Sequence, residues 1–227
     1  NSPSNPTGMV YTRGEMEAIA RVVQKHQGVF IMSDEVYEHI LFEGEHVSMA
    51  SFDFIYDRVI TVNAVSKAYA MTGWRIGYIG APKWIVSACD KLQGQFTSGV
   101  SSIAQRAALA ALSQSDDSRR MMRDAFLRRR DLICNLLKEI EGLKVRIPQG
   151  AFYVLPDISF YLGKSDGEKT IKTSDDLALW LLEKAQVAVV GGDAFGAPDC
   201  IRISYANSDD LLAEAVKRIK EALAKLR

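Results

Sequence analysis

The chain has 227 residues, of which 48% are apolar and 25% charged, with 28 lysines and arginines balancing 28 aspartates and glutamates. That composition excludes a disordered tail, a collagen-like repeat and a disulfide-stapled miniature, and a formal charge of zero argues against nucleic-acid affinity built on phosphate contacts. No apolar run approaches the roughly 20 residues of a membrane-spanning helix and no charged-then-apolar leader is visible, so a cytoplasmic protein is expected.

The first residues, Asn1-Ser2-Pro3-Ser4-Asn5-Pro6-Thr7-Gly8, are turn formers with neither a methionine nor a preceding element, which leads to the expectation of a C-terminal portion of something longer. Thr12 and Glu15 then form a capping box, and Met16, Ile19 and Val23 supply the apolar stripe of a helix running to about His26. Gly28 breaks that helix. Val29-Phe30-Ile31-Met32 is continuously apolar, the pattern of a strand buried on both faces of a parallel sheet, and Asp34 follows at its end. Val59 to Val62 and Ile76 to Ile79 have the same character, separated by links long enough for crossovers or excursions. This is an α/β pattern, in which ligands collect beyond the carboxyl ends of strands, where Asp34, Tyr37 and Ser66-Lys67 would fall.

The second half changes character. From Asp117 to Glu141 the apolar residues Met122, Phe126, Ile133, Leu136, Leu137 and Ile140 recur at helical spacing for about seven turns, a length that suits a connector between domains. Lys144 to Ile147 and Ala151 to Leu155 read as strands, Asp175 to Ala185 as a helix, Val187 to Val190 as a strand, and Leu211 to Leu226 as a closing amphipathic helix. Between the last two, Ile201, Ile203 and Tyr205 share one face of an alternating segment and Arg202 and Ser204 the other.

Cys89, Cys134 and Cys200 are odd in number and widely spaced, suggesting neither a disulfide framework nor a zinc ribbon. His26, His39 and His46 lack metal-binding spacing and read as surface or packing residues, so no metal is expected. Arg128-Arg129-Arg130 reads as the solvated face of the long helix, and Gly191-Gly192 as a turn after a strand. Neither a dinucleotide-binding glycine pattern nor a P-loop occurs.

Four features stand in order: Asn5-Pro6-Thr7-Gly8; Ser33-Asp34-Glu35-Val36-Tyr37; Ser66-Lys67 followed by Gly73-Trp74-Arg75-Ile76-Gly77-Tyr78; and Arg202-Ile203-Ser204-Tyr205. With these spacings the chain resembles the fold-type-I, pyridoxal-phosphate-dependent aminotransferases, in the branch of aspartate and aromatic aminotransferases. The block Ala68 to Arg75 is similar to the bacterial aspartate enzymes of that branch.

The resemblance implies a fold and a site. Residues 1–115 would be the C-terminal part of the cofactor-binding large domain, a mostly parallel sheet with helices, and residues 116–227 a small α+β domain. It implies that Lys67 forms a Schiff base with pyridoxal phosphate and, once freed, carries a proton between the substrate Cα and the cofactor. Asp34 would pair with the pyridinium nitrogen and keep the ring electron-accepting. Tyr37 and Asn5 would hydrogen-bond the phenolate oxygen, Arg75 would hold the phosphate with help from the Ser66 hydroxyl, Arg202 would grip the substrate α-carboxylate, and Asn5 would also count among the substrate-binding residues. One departure concerns the phosphate: many relatives have a serine three residues before the lysine, where this chain has Ala64.

The expected activity is a ping-pong transamination between an L-amino acid, aspartate favoured, and a 2-oxo acid, by a homodimer that engages neither nucleic acid nor membrane. Two alternatives remain at this stage: a lyase or cyclopropane-carboxylate synthase using the same cofactor residues, and a non-catalytic protein that keeps the fold.

Overall fold

The computed structural model describes residues 1–227 and divides into two compact units, Asn1–Ser4 with Met9–Arg123, and Asn5–Gly8 with Asp124–Arg227.

The first unit opens with helix α1 (Arg13–Gln24), and its start is the expected capping box. The Thr12 hydroxyl accepts from the Glu15 amide at 3.3 Å, and the Glu15 carboxylate accepts from the Thr12 amide at 2.8 Å. The other end is tied from a distance: Arg58 Nη1 donates to the Val23 and His26 carbonyls at 2.9 and 2.8 Å, each of which also accepts from a backbone amide, that of His26 and of Val29. Met16 and Ala20 pack with Val47, Met49, Phe52, Ile55 and Val59 to form the buried cluster beneath the helix.

Strand β1 (Ile31–Asp34) pairs in parallel with β2 (Val59–Ala64), Ile31 facing Val59 and Asp34 facing Val62. The short helix α2 (Val65–Ala68) follows β2 directly, and a tight excursion returns the chain as β3 (Gly77–Gly80), with Ala64 opposite Gly77. Three expectations need correction here. The first strand lies two residues later than its apolar run suggested. It is also far from fully buried: Met32 is 73% exposed, and of the residues leading into it Val29 is 44% and Phe30 41% exposed, the latter edge-on to Trp84. The third strand is antiparallel to β2, so this three-stranded sheet is mixed: a link without a full crossover helix brings the chain back at the end of the sheet it just left. Helices α3 (Lys83–Phe96) and α4 (Ser102–Ser113) complete the unit with apolar side chains turned outward, among them Trp84, Phe96 and Ile103.

The division between units falls inside helix α5 (Asp117–Lys138). In the second unit its C-terminal part buries Ile133, Cys134 and Leu137. Arg130 departs from the expected solvated face: it is 7% exposed, with Nη1 donating to the Pro148 carbonyl at 3.1 Å and Nη2 2.8 Å from Asp131. Arg128 and Arg129 do lie at the surface side and both meet Asp209. The sheet of this unit is antiparallel, in the order β4 (Tyr153–Val154), β6 (Ile201–Ser204), β5 (Val190–Gly191). Lys144 to Ile147 forms no strand; a single bridge from Lys144 to Asp157 is all that this stretch contributes. Helices α6 (Ser174–Ala185) and α7 (Asp209–Leu223) enclose a core that includes Leu177, Trp180, Leu181, Ile201, Tyr205 and Ile219.

Candidate active site

Sheet register gathers three of the candidate residues in the first unit. Asp34 is the last residue of β1, Lys67 lies three residues past the end of β2, and Arg75 comes two residues before the start of antiparallel β3. All three therefore sit at one end of the same sheet. The backbone fixes each one. The Asp34 carboxylate accepts from the Val36 amide at 3.2 Å, which begins the turn that carries Tyr37. Tyr37 is 4% exposed and its carbonyl accepts from the Ile40 amide at 2.8 Å. Lys67 lies within α2, and its carbonyl accepts from the Ala70 amide at 3.2 Å.

Arg75 has φ 55°, in the left-handed region, and donates from Nη1 to the Thr72 carbonyl at 3.0 Å. An L-residue pays roughly 1–2 kcal/mol for that conformation, and here it closes the turn that swings the chain into β3. Gly77 has a steric role beside it: an added Cβ would lie 3.1 Å from the Asn63 carbonyl oxygen. Ser66 enters the arrangement through its backbone, whose carbonyl accepts from the Thr72 hydroxyl at 3.1 Å.

Behind Asp34 lies a cluster that the sequence pattern did not reveal. Glu35 is 4% exposed. Its Oε1 accepts from the Ser33 hydroxyl at 3.0 Å, the Ser48 hydroxyl at 2.8 Å and the Met49 amide at 3.3 Å, and its Oε2 lies 3.1 Å from His46 Nε2. Burial pushes the Glu35 carboxyl up, but the hydrogen bonds from His46, Ser48 and Ser33 outweigh it and leave the group below its usual value. The same bond to Glu35 raises His46 against the opposing effect of burial. The only sequence signals were an acid directly after Asp34 and a histidine beyond a glycine-containing loop.

In the second unit Arg202 projects from β6, between the fully buried Ile201 and the 7% exposed Ile203. Its guanidinium carbon stands 4.7 Å from the Tyr153 ring centre and 4.8 Å from that of Phe195, distances suited to cation–π attraction. Nη1 donates to the Asn5 side-chain oxygen at 2.8 Å, while the buried Nε has no hydrogen-bond partner. Asn5 is held in place by its own segment. Gly8, at φ 66°, accepts from the Gln149 and Gly150 amides at 2.8 and 2.9 Å, and a side chain there would collide with Pro148. The two rings beside Arg202 were not legible as site residues, since Tyr153 reads as a strand residue and no sequence pattern marks Phe195.

Comparison with known proteins gives these placements a context. Residues 1–219 match the family model for aminotransferase class I and II. A bifunctional aspartate aminotransferase and glutamate/aspartate-prephenate aminotransferase of Petunia hybrida is 50% identical across the whole chain, which covers 48% of that protein. The crystal structure of the aspartate aminotransferase of Rhizobium meliloti superposes with a TM-score of 0.95 at 44% identity, covering 100% of this chain and 57% of that one. The Thermus thermophilus aspartate aminotransferase solved with maleate gives 0.88 at 42% identity, with 98% and 55% covered. The chain thus spans about half the length of the relatives it matches.

Proposed function

The chain belongs to the class I and II aminotransferase family, and from that premise we propose that it serves a pyridoxal-phosphate-dependent transaminase, moving an amino group between an L-amino acid, aspartate favoured, and a 2-oxo acid. The observation that carries this reading is the state of Arg202. Two rings and Asn5 hold the guanidinium, yet its buried Nε lacks an acceptor. A buried donor left so costs about 1–3 kcal/mol, which an incoming acceptor relieves. The substrate α-carboxylate is that acceptor, taken up through the planar fork and held so that its Cα–H bond keeps one orientation.

The first unit fits the cofactor. Asp34, Lys67 and Arg75, at one end of the sheet, are an acid, an amine and a guanidinium, the functions that a pyridinium nitrogen, an aldehyde and a phosphate call for. Bound there, pyridoxal phosphate supplies the carbon that carries the amino group and the electron-poor ring that takes up the pair released when the substrate Cα–H bond breaks. Lys67 Nζ would anchor the aldehyde and, when freed, move the proton at the substrate Cα. The Asp34 carboxylate would accept from the ring N–H and keep that proton in place. The Tyr37 hydroxyl would donate to the ring oxygen, and Arg75, with the Ser66 hydroxyl, to the phosphate.

Aspartate as the favoured donor is supported by relatives named for it and by the dicarboxylate maleate bound to one of them. We also propose a cytoplasmic homodimer. Three free cysteines and the lack of any helix long and apolar enough to cross a membrane accord with that location, and the outward apolar side chains of α3 and α4 with burial against a second chain. The test is borohydride reduction of the protein, expressed from its complete reading frame with pyridoxal phosphate, followed by peptide mass mapping. Lys67 should carry the pyridoxyl group, and Lys67→Ala should abolish both the label and transamination; label on another lysine would overturn the reading.

A further inference from the structure

The segment proposed to hold the cofactor ring runs from Asp34 to Tyr37, and Glu35 is the one acid in it that faces away into the protein. Its carboxylate is gripped four times, by Ser33, Ser48, the Met49 amide and His46. Its own backbone is tied on both sides, the Glu35 amide donating to the Val62 carbonyl of β2 at 2.9 Å and the Glu35 carbonyl accepting from the Glu38 amide at 2.9 Å. The side chain therefore clamps the turn between its two site residues to the loop of residues 46–49. We infer that Glu35 and His46 form a charge pair that positions the Asp34–Tyr37 turn, so that the proton on His46 sets how firmly this protein retains pyridoxal phosphate. The inference rests on the proposed cofactor site.

The charged groups around His46 give the device its direction. Glu35 lies 3.1 Å and Glu38 3.9 Å from its Nε2, and the buried Nδ1 on the other side of the ring makes no hydrogen bond. Glu38 is shared: its Oε1 accepts from Asn63 Nδ2 at 2.5 Å and stands 3.5 Å from His39 Nε2, and it adds charge beside Tyr78. His39 takes the opposite state. Its Nε2 lies 2.7 Å from Arg119 Nη1, which can only donate, so this nitrogen accepts and the ring is neutral. Burial lowers His39 first, Arg119 and His46 lower it further, and Glu38 opposes them. Tyr69 completes the surround, edge-on to His39 and under the Arg119 guanidinium. His46 is thus the proton-binding member of the pair of rings.

The sign follows from linkage. A raised His46 makes the pair's contribution complete below the ordinary imidazole value near 6.5 and lost as pH rises through the folded value; a lowered Glu35 makes it complete above the ordinary carboxylate value of 4.5 and lost as pH falls below that. The pair is therefore fully formed between about pH 4.5 and 6.5.

The experiment measures the dissociation constant of pyridoxal phosphate by equilibrium dialysis from pH 6 to pH 9, in the parent protein, His46→Gln and Glu35→Gln, with thermal unfolding recorded for each. The parent should bind about tenfold more weakly at the alkaline end, within the ordinary range of coupling between two sites. Both variants should show weakened binding at pH 6 and a flattened profile. Glu35→Gln decides the matter if His46→Gln does not fold, since it keeps the side-chain shape. A variant that loses thermal stability while its pH profile stays parallel to the parent's would overturn the inference and leave the pair a structural one. Absence of the borohydride label at Lys67 in the parent would instead remove the cofactor site itself.

Discussion

Arg202 Nη1 donates to Asn5 Oδ1 across 2.8 Å, joining residues 197 positions apart in the chain. The contact explains why Asn5–Gly8 belongs with the second unit although the residues on either side belong to the first. An arginine between two rings could swing; the amide oxygen fixes which nitrogens remain for a ligand.

From that geometry, Arg202→Ala should lose about 2–5 kcal/mol of transition-state binding, or roughly thirtyfold to several-thousandfold in kcat/KM. Arg202→Lys should recover only part of it, because an ammonium keeps the charge without the planar fork. Steady-state kinetics with aspartate and 2-oxoglutarate check both, and an unchanged kcat/KM in Arg202→Ala would remove the carboxylate role.

The turn that carries Phe195 depends on Gly192, where an added Cβ would collide with the Ala197 and Cys200 carbonyl oxygens. The neighbouring Asp193 is pinned by the fully buried Ser174, whose hydroxyl donates to its carboxylate at 2.8 Å. Gly192→Ala should therefore displace Phe195 from the Arg202 guanidinium and raise KM for the amino donor by about tenfold or more, the loss of a desolvated cation–π contact of about 2 kcal/mol. Phe195→Leu provides the control: it should raise KM without the stability loss that calorimetry should find for Gly192→Ala.

A distinct acid step should appear around Asp166. The Lys169 amide, the Trp180 indole and the Glu168 amide all donate to its carboxylate, at 2.8, 2.8 and 2.9 Å, and hold it down to about 2. A depressed carboxyl contributes stability that is complete above the unfolded value near 3.9 and lost as pH falls toward 2. Trp180 is buried beneath this loop, so its fluorescence should change between pH 4 and pH 2. Asp166→Asn should be less stable at neutral pH and lose that step.

Cys134 should be inert in the folded protein. Burial pushes its thiol up to about 11 despite nearby Arg130 and Lys138, and it is 1% exposed in the second core. Titration with a thiol reagent at pH 8 should leave Cys134 unmodified until denaturant is added. Modification before unfolding would show that the second unit opens locally.

Much of this was open to inspection in the linear sequence, and the reason is locality. The capping box at Thr12 and Glu15 is settled within one helical turn. The alternation around Arg202 predicts its strand and its exposed side because neighbouring side chains in a strand must point opposite ways. The acid at a strand end and the Ser-Lys step are also local, but each is common, and Asp34 and Lys67 stood out only through the α/β pattern and the family resemblance that their spacing carries.

What needed the tertiary structure were the properties that belong to pairs of distant residues. The direction of β3 is set by how a short excursion returns, and apolarity says nothing about direction. Met32 looks like a core residue, but burial depends on what covers a face, and nothing in this chain does. Arg130 belongs by charge to the surface, yet the Pro148 carbonyl and Asp131 give it partners that make burial affordable. The Glu35–His46 pair and the Asn5–Arg202 bond likewise exist only once folding has closed loops of 11 and 197 residues. The sequence by itself determined which chemical groups are present and how each local segment coils; the fold decided which groups meet, because hydrogen bonds and charge pairs act over a few ångströms and chain separation does not measure that distance.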